Sequence, residues 1–312
     1  MKWPATCLLV VTGLWLIFAS NRMIYLSHQS FSYGSQVQRK YQLNSDNVRR
    51  RPLIIGHRGS GVDSTDPEAK FKHKLIGNTL TAIEQAIDAA DWIEIDIRKS
   101  KQADGEDGEL VVFHDANVAA KTDFKGSKGE VSDLTLADLR ALNLHVVSDR
   151  KIRTLNEVFD SGEIPSRGIH WIFDIKARGI QEDVMRWIEE QDLPKDQLIL
   201  FGDYEVLHDY KDAGYPLGYT TLASTNWRKM LFRPSAVFDD CDKLGAKLVA
   251  VPIAFVTKNF VDIATQRGVE VWCYDSNVDV DLKYAVGCGV RGVIVDHPKD
   301  VRGMFYPDER DN

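Results

Sequence analysis

Four short runs in this sequence hold residue types that work together in catalysis: Gly56-His57-Arg58-Gly59, Glu94-Ile95-Asp96, His114-Asp115 and Asp174-Ile175-Lys176. Side chains two apart on a strand share a face, so Glu94 and Asp96 would bring two carboxylates together. In a confined place they repel, and a cation resolves the repulsion. Asp174 would be a third oxygen donor. Three hard carboxylates with no Cys or His at ligand spacing suit Mg²⁺ or Ca²⁺ better than zinc. His57 and His114 are imidazoles able to give and take protons near neutral pH. Arg58 and Lys176 are cations that could hold a phosphoryl group, one as a fork and the other as a point charge. Each motif alone has an ordinary structural meaning: a solvated strand edge, a satisfied histidine, a surface ion pair. The combination is what points to metal-assisted phosphoryl transfer, where cations offset charge in the transition state.

These residues need elements to hold them. Apolar runs rich in β-formers occur at Leu53–Gly56, Trp92–Ile97, Leu110–Phe113, Trp171–Ile175, Leu198–Phe201, Leu217–Thr221, Leu248–Val251, Val269–Tyr274 and Val290–Val295. Amphipathic stretches lie between most of them. Ile83, Ala86, Ile87 and Ala90 form the stripe of a helix lying on a sheet, with Thr81 to Glu84 reading as a capping box at its start. Only Lys99–Glu109 separates the second run from the third, too little for a parallel crossover. The third run therefore forms a hairpin with its predecessor or belongs to an excursion. Eight strand-then-helix units remain, which predicts an α/β fold, a (β/α)8 TIM barrel with a small insertion after the second strand. An open doubly wound sheet is the alternative, but its G-x-G-x-x-G fingerprint is missing. In such a barrel the active site lies at the carboxyl ends of the strands, where the four chemical runs fall.

The chain has 312 residues, 44% of them hydrophobic, with 39 Lys and Arg against 46 Asp and Glu and a formal charge of -7. That supplies one large core and no basic excess of the kind nucleic-acid binders use. Residues 1–20 hold an apolar run from Trp3 to Ala19, expected to be a transmembrane anchor or a signal peptide. Bulky residues at the position a signal peptidase reads favour the anchor. Residues 21–51 read as a polar linker, 52–303 as the barrel with its insertion at about 98–165, and 304–312 as a tail. The expected location is membrane-anchored with an extracytoplasmic body, secreted if the front is cleaved. Of four cysteines, three lie in the body at irregular spacing, which predicts buried free thiols rather than a disulfide framework.

The chain resembles the glycerophosphodiester phosphodiesterase family. The matching segments are Ile54-Ile-Gly-His-Arg-Gly59, Asn78-Thr79, Ile93-Glu-Ile-Asp-Ile97, Leu110-Val-Val-Phe-His-Asp115, Phe173-Asp-Ile-Lys176, Val271-Trp272 and Gly292-Val-Ile-Val-Asp-His-Pro298, in order over about Leu53 to Pro298. The resemblance implies a TIM barrel of the phospholipase-C-like kind. It implies catalysis by His57 and His114, a divalent cation on Glu94, Asp96 and Asp174, and substrate contacts from Arg58, Lys176 and Trp272. The implied reaction converts a glycerophosphodiester to an alcohol and glycerol 3-phosphate, with the glycerol hydroxyl as internal nucleophile. Three departures stand out. Gly77 replaces the family's Glu before Asn-Thr, with Glu68 a candidate substitute. Asp174 stands where Glu is common, and Trp272-Cys-Tyr-Asp275 replaces Trp-Thr-Val-Asn.

Two rival functions follow. One is a lysophospholipase D acting on membrane lysolipids, for which loops such as Trp227–Pro234 would supply an apolar approach, although the same residues could form an ordinary barrel helix. The other is a catalytically silent, membrane-tethered binding barrel, suggested only by Gly77. The polar Asp63–Ile76 loop is a candidate lid by length and position.

Overall fold

Apolar runs of four to eight residues form strands here because helices on one side and a packed interior on the other cover both of their faces. The computed structural model describes residues 51–61, 76–103, 107–144, 151–162, 164 and 168–307. Within these, nine strands occur: β1 Leu53–Gly56, β2 Trp92–Lys99, β3 Leu110–Val112, β4 Trp171–Ile175, β5 Leu198–Gly202, β6 Leu217–Thr220, β7 Leu248–Pro252, β8 Glu270–Tyr274 and β9 Gly292–Val295. Eight are parallel and run β1-β9-β8-β7-β6-β5-β4-β2, and a β1–β2 pairing closes the ring. This is the expected barrel.

The ninth strand is the expected hairpin. β3 pairs antiparallel with β2, Ile97 opposite Val112 and Lys99 opposite Leu110. It finds room because β1 stops at Gly56, opposite Ile93, and leaves the far half of β2 without a partner on that side. β3 thus carries the chain back along the carboxyl end of β2. The segment that follows has its own small core of Val111, Phe113, Val118, Val131, Leu139, Leu144 and Ile152. The helix Leu155–Phe159 then returns to the main core, where Phe159 packs on Trp171, Phe173 and Trp187.

Alternation along each strand sorts the residues. Ile54, Ile93, Ile95, Phe173 and Val249 point outward to the helices. Ile55, Ile172, Phe201, Leu248, Ala250, Trp272 and Ile294 fill the interior. That interior is crowded. A Cβ on Gly218 would lie 2.0 Å from the Phe201 ring, and one on Gly292 would lie 2.7 Å from Trp272. Both glycines exist to let a large ring cross the barrel.

One local expectation is corrected and one alternative is decided. The helix Leu80–Ile87 is capped by Thr79, whose side chain accepts from the backbone N–H of Ala82. Thr81 lies inside the first turn, so the capping pattern was read two residues late. For Trp227–Pro234 the helical alternative holds: the helix Ala223–Phe232 ends there, and Pro234 opens the next helix, Pro234–Leu244. Cys241, Cys273 and Cys288 are free and buried, as expected. The apolar run Trp3–Ala19, Cys7, the polar linker, Glu68 and nearly all of the candidate lid fall outside the described residues. Among the described residues no helix is long and apolar enough to cross a membrane.

The interior packing makes a stability prediction. Gly218→Val should destabilise the barrel by roughly 1–3 kcal/mol through overpacking, read as a fall in the urea midpoint with unchanged slope. Phe201→Leu added to it should recover part of the loss. A midpoint unchanged by Gly218→Val would mean that Phe201 does not lie over that position.

Candidate active site

Glu94 and Asp96 follow Trp92 on the interior face of β2, and Asp174 follows Ile172 on that of β4. The register sets Asp96 beside Asp174 across the two strands. All three are buried, and one oxygen from each lies within 4.8 Å of the others. Burial pushes the Glu94 carboxyl well above the usual range, and the neighbouring charges of Asp96 and Asp174 push it further. Burial opposes the Asp96 charge too, but Lys176, Arg58 and His114 outweigh it and hold Asp96 ionised far below the usual range.

Two cations serve this cluster. Lys176 Nζ lies 2.6 Å from Asp174 Oδ2 and 3.2 Å from Asp96 Oδ1. Its pKa is raised because these carboxylates overcome the cost of burial. Arg58 Nε lies 3.1 Å from Asp96 Oδ2, and the Arg58 backbone N–H donates to Glu94 Oε2 at 2.7 Å. That donation needs the left-handed backbone of Arg58, φ 53°, with Gly59 at φ 84° behind it. Burial works against the Arg58 charge as well, yet Asp96, Glu94, Asp296 and Asp115 together keep it protonated.

Each histidine has a carboxylate of its own. His57 follows β1, and its Nδ1 lies 2.7 Å from Asp296 Oδ1, just past β9. Asn277, after β8, fixes Asp296 from both sides: its amide donates to Oδ2 at 2.8 Å, and its carbonyl accepts from the Asp296 backbone N–H at 2.9 Å. Burial would raise the Asp296 pKa, but the bonds from His57 and Asn277 bring it below the ordinary value. His114 stands at the end of β3, with Nδ1 2.6 Å from Asp115 Oδ1. That hydrogen bond, ahead of any other cause, holds Asp115 low. Both imidazoles are about one-third exposed, at 33% and 38%. With Nδ1 donating to a carboxylate, each keeps Nε2 for chemistry.

The structure therefore gathers His57, Arg58, Glu94, Asp96, His114, Asp174 and Lys176 at one end of the barrel. It does not bring Trp272 there. Trp272 is 2% exposed, packs edge-on to Trp92 at 6.4 Å, and turns its indole nitrogen toward Glu270 at the opposite end of β8. In this position its ring packs in the barrel interior, filling the space above Gly292. Tyr274, two residues further on the same face, is the β8 residue that senses the Asp174 charge.

Four participants were not given roles from the sequence. Asp296 and Asn277 orient His57. Asn78 grips Asp96 twice: its amide donates to Oδ2 at 2.7 Å, and its carbonyl accepts from the Asp96 backbone N–H at 3.1 Å. Lys121, from the segment after β3, approaches Asp115 to 4.0 Å, and burial together with the Arg58 charge lowers its pKa to about 8. A polar residue just past a barrel strand was the available signal for Asp296. Asn78 stood in a segment matched to the family, but its grip on Asp96 depends on a backbone at φ 65°, which has no sequence signature as such. Gly77 also has a local reason: a Cβ there would fall 2.5 Å from Arg58 Cβ, so the stem of Arg58 takes the space of a side chain at 77.

A profile of the "Glycerophosphoryl diester phosphodiesterase family" matches residues 57–300. The chain belongs to this family. It is thus an enzyme of phosphodiester hydrolysis, built on the barrel described above. Solved structures agree on the fold. A protein of Agrobacterium tumefaciens str. C58 assigned this activity superposes with TM-score 0.67 at 17% identity, covering 84% of this chain and 99% of its own. An Oleispira antarctica phosphodiesterase in complex with the product sn-glycerol-3-phosphate gives 0.60 at 23%, covering 81% and 96%. A glycerophosphodiester phosphodiesterase of Thermotoga maritima gives 0.58 at 24%, covering 81% and 98%. No curated protein matches the chain in a sequence search.

The Asp296 geometry makes a kinetic prediction for the family member. Asp296→Asn should lower kcat at least about tenfold, because the neutral amide no longer fixes the imidazole or stabilises its charged form. KM should change little, and Asn277→Ala should give a smaller fall of the same kind. An unchanged kcat in Asp296→Asn would remove the carboxylate from the reaction.

Proposed function

We propose that the protein cleaves glycerophosphodiesters to an alcohol and glycerol 3-phosphate, using His57 and His114 as acid and base beside a divalent cation held by Glu94, Asp96 and Asp174. The observation that carries this reading is two carboxylate-backed histidines at the same barrel end as three buried carboxylates and two partly buried cations. The carboxylates fit a hard cation. Asp96 Oδ1 is fully buried with an ion-pair neighbour but no well-formed hydrogen bond. Glu94 is an acid whose burial among like charges calls for a counter-charge. When bound, such a cation supplies Lewis-acid polarisation of a phosphoryl oxygen. The oxygen-only donor set favours Mg²⁺ or Ca²⁺ over softer ions.

The protein's own groups do the rest. One neutral histidine takes the proton of the attacking glycerol hydroxyl at Nε2, while the other, protonated, gives its Nε2 proton to the departing alkoxide, leaving a cyclic glycerophosphate. With the histidine roles reversed, water then adds to phosphorus and opens the ring to glycerol 3-phosphate. Their Nδ1 carboxylates hold the tautomer that leaves Nε2 available. Arg58 offers a planar fork and Lys176 a point charge to the phosphate, and both are kept charged by the carboxylates around them. Asn78 keeps Asp96 from swinging, so the cation site is set before substrate arrives. The apolar front, by its sequence alone, supports placement of this barrel at a membrane, with the body outside the cytoplasm.

The deciding experiment measures choline and glycerol 3-phosphate released from glycerophosphocholine, with lysophosphatidylcholine alongside and with EDTA, Mg²⁺ and Ca²⁺ arms. Turnover that EDTA abolishes and one of the two ions restores is the expected result. A preference for lysophosphatidylcholine would shift the reading to a lysophospholipase D. Folded protein without turnover on either would overturn the glycerophosphodiester reading, in favour first of a different phosphodiester and then of the silent barrel. His57→Ala and His114→Ala should each cost at least about two orders of magnitude in rate. Glu94→Ala should lose both activity and calorimetric binding of the cation, whereas a fully active Glu94→Ala would place the ion elsewhere.

A further inference from the structure

Among the described residues, large exposed apolar side chains follow only two of the barrel strands. They are Leu222, Leu231, Phe232, Val278 and Val280. All five lie on segments that follow the carboxyl ends of β6 and β8, the end that carries the histidines and carboxylates. Scattered exposed residues would not favour one end, so this distribution needs a reason.

The two groups differ in charge. Val278 and Val280 alternate with Asp279 and Asp281. The segment after β6 is the opposite. From Ala213 to Phe238 there is no Asp or Glu, in a chain that has 46 of them among 312 residues. The same stretch holds Arg228, Lys229 and Arg233. Lys229 is answered by Asp240 at 2.6 Å from the next helix. Arg228 and Arg233 have no acidic partner among the described residues; Arg228 instead lies over the Trp227 ring, 5.2 Å from its centroid. Phe232 is 73% and Leu231 55% exposed, and the Trp227 ring meets Phe232 edge-on at 6.2 Å. Met230, on the other side of the helix, is buried and accepts a contact from the Thr221 hydroxyl. The helix Ala223–Phe232 therefore has an inward apolar residue to hold it on the barrel and a second apolar set that the barrel does not use.

We propose that the Trp227–Arg233 face is a docking surface for an anionic lipid bilayer. Phe232 and Leu231 enter the boundary of the acyl chains, Trp227 sits at headgroup level with its ring half covered, and Arg228 and Arg233 meet lipid phosphates. Charge complementarity singles out this occupant. A segment with two unanswered arginines and no carboxylate suits a surface of negative headgroups, and the arginine stems can lie along the apolar boundary while their heads stay wet. Docking by this face turns the end of the barrel that carries the histidines toward the lipid. The inference does not depend on the phosphodiesterase reading, since it rests on exposure and charge alone.

The test uses the full chain with Cys7→Ser, so that labelling avoids the three buried thiols. An environment-sensitive fluorophore is placed at Leu231→Cys, and in a second protein at Lys211→Cys, on the exposed turn at the opposite end of the barrel. Each is added to phosphatidylcholine vesicles with brominated acyl chains, with and without phosphatidylglycerol. The expected result is quenching at 231 and none at 211, stronger with phosphatidylglycerol and lost in Arg228→Glu/Arg233→Glu. These surface changes touch no buried group, so unaltered circular dichroism should accompany the loss. Equal quenching at the two positions would overturn the proposal. So would a label at 231 that stays dark to bromine but shifts with protein concentration, which assigns the face to a contact with a second protein.

Discussion

Three carboxylates share the interior of this barrel, and their mutual repulsion is the constraint on which the site is organised. Glu94, Asp96 and Asp174 arrive together because strand alternation and the β2–β4 register leave them no choice. Removing such charges from water is costly, and surrounding cations and donors offset that cost. Lys176, Arg58, Asn78 and the backbone N–H of Arg58 all reach this cluster. The left-handed turn at Arg58, the bare Gly77 and the positive φ of Asn78 follow from the need to bring those donors close.

Much of this was legible before any coordinates. The eight-unit barrel could be counted because buried parallel strands read as apolar runs, and the ninth run betrayed itself by a connection too short for a crossover. The chemical cluster was legible for the same reason: charged residues at the carboxyl end of an apolar strand interrupt a pattern. The place of Trp272 was not legible, because an aromatic residue on a barrel strand reads the same whether it lies near the mouth or deeper in the interior. Only packing against Trp92 and Gly292 tells them apart. The roles of Asp296 and Asn277 were hard to read for a different reason. Asp296 bonds to His57 and Asn277 bonds to Asp296, across distances in sequence that no local pattern records.

The same logic explains the helix after β6. Its alternating apolar and basic residues fitted a loop at a surface or a helix on the barrel, and the structure shows that these are not exclusive. One side, through Met230, satisfies the fold. The other exposes what the fold does not need. Periodicity alone reports that a segment is amphipathic; it does not report that a helix has apolar residues to spare.

The pair His57–Asp296 joins the first barrel strand to the last, 239 residues further along. A chain emerging from the ribosome makes the histidine early and its carboxylate almost at the end. Until β9 has docked between β1 and β8, His57 has no partner to fix its ring, and the shelf on which Arg58 turns is open at one side. Partly synthesised or C-terminally clipped chains thus carry most of the reactive residues without the arrangement that makes them work. Barrel closure is the moment at which the enzyme comes into being, so its activity reports complete synthesis as well as correct folding.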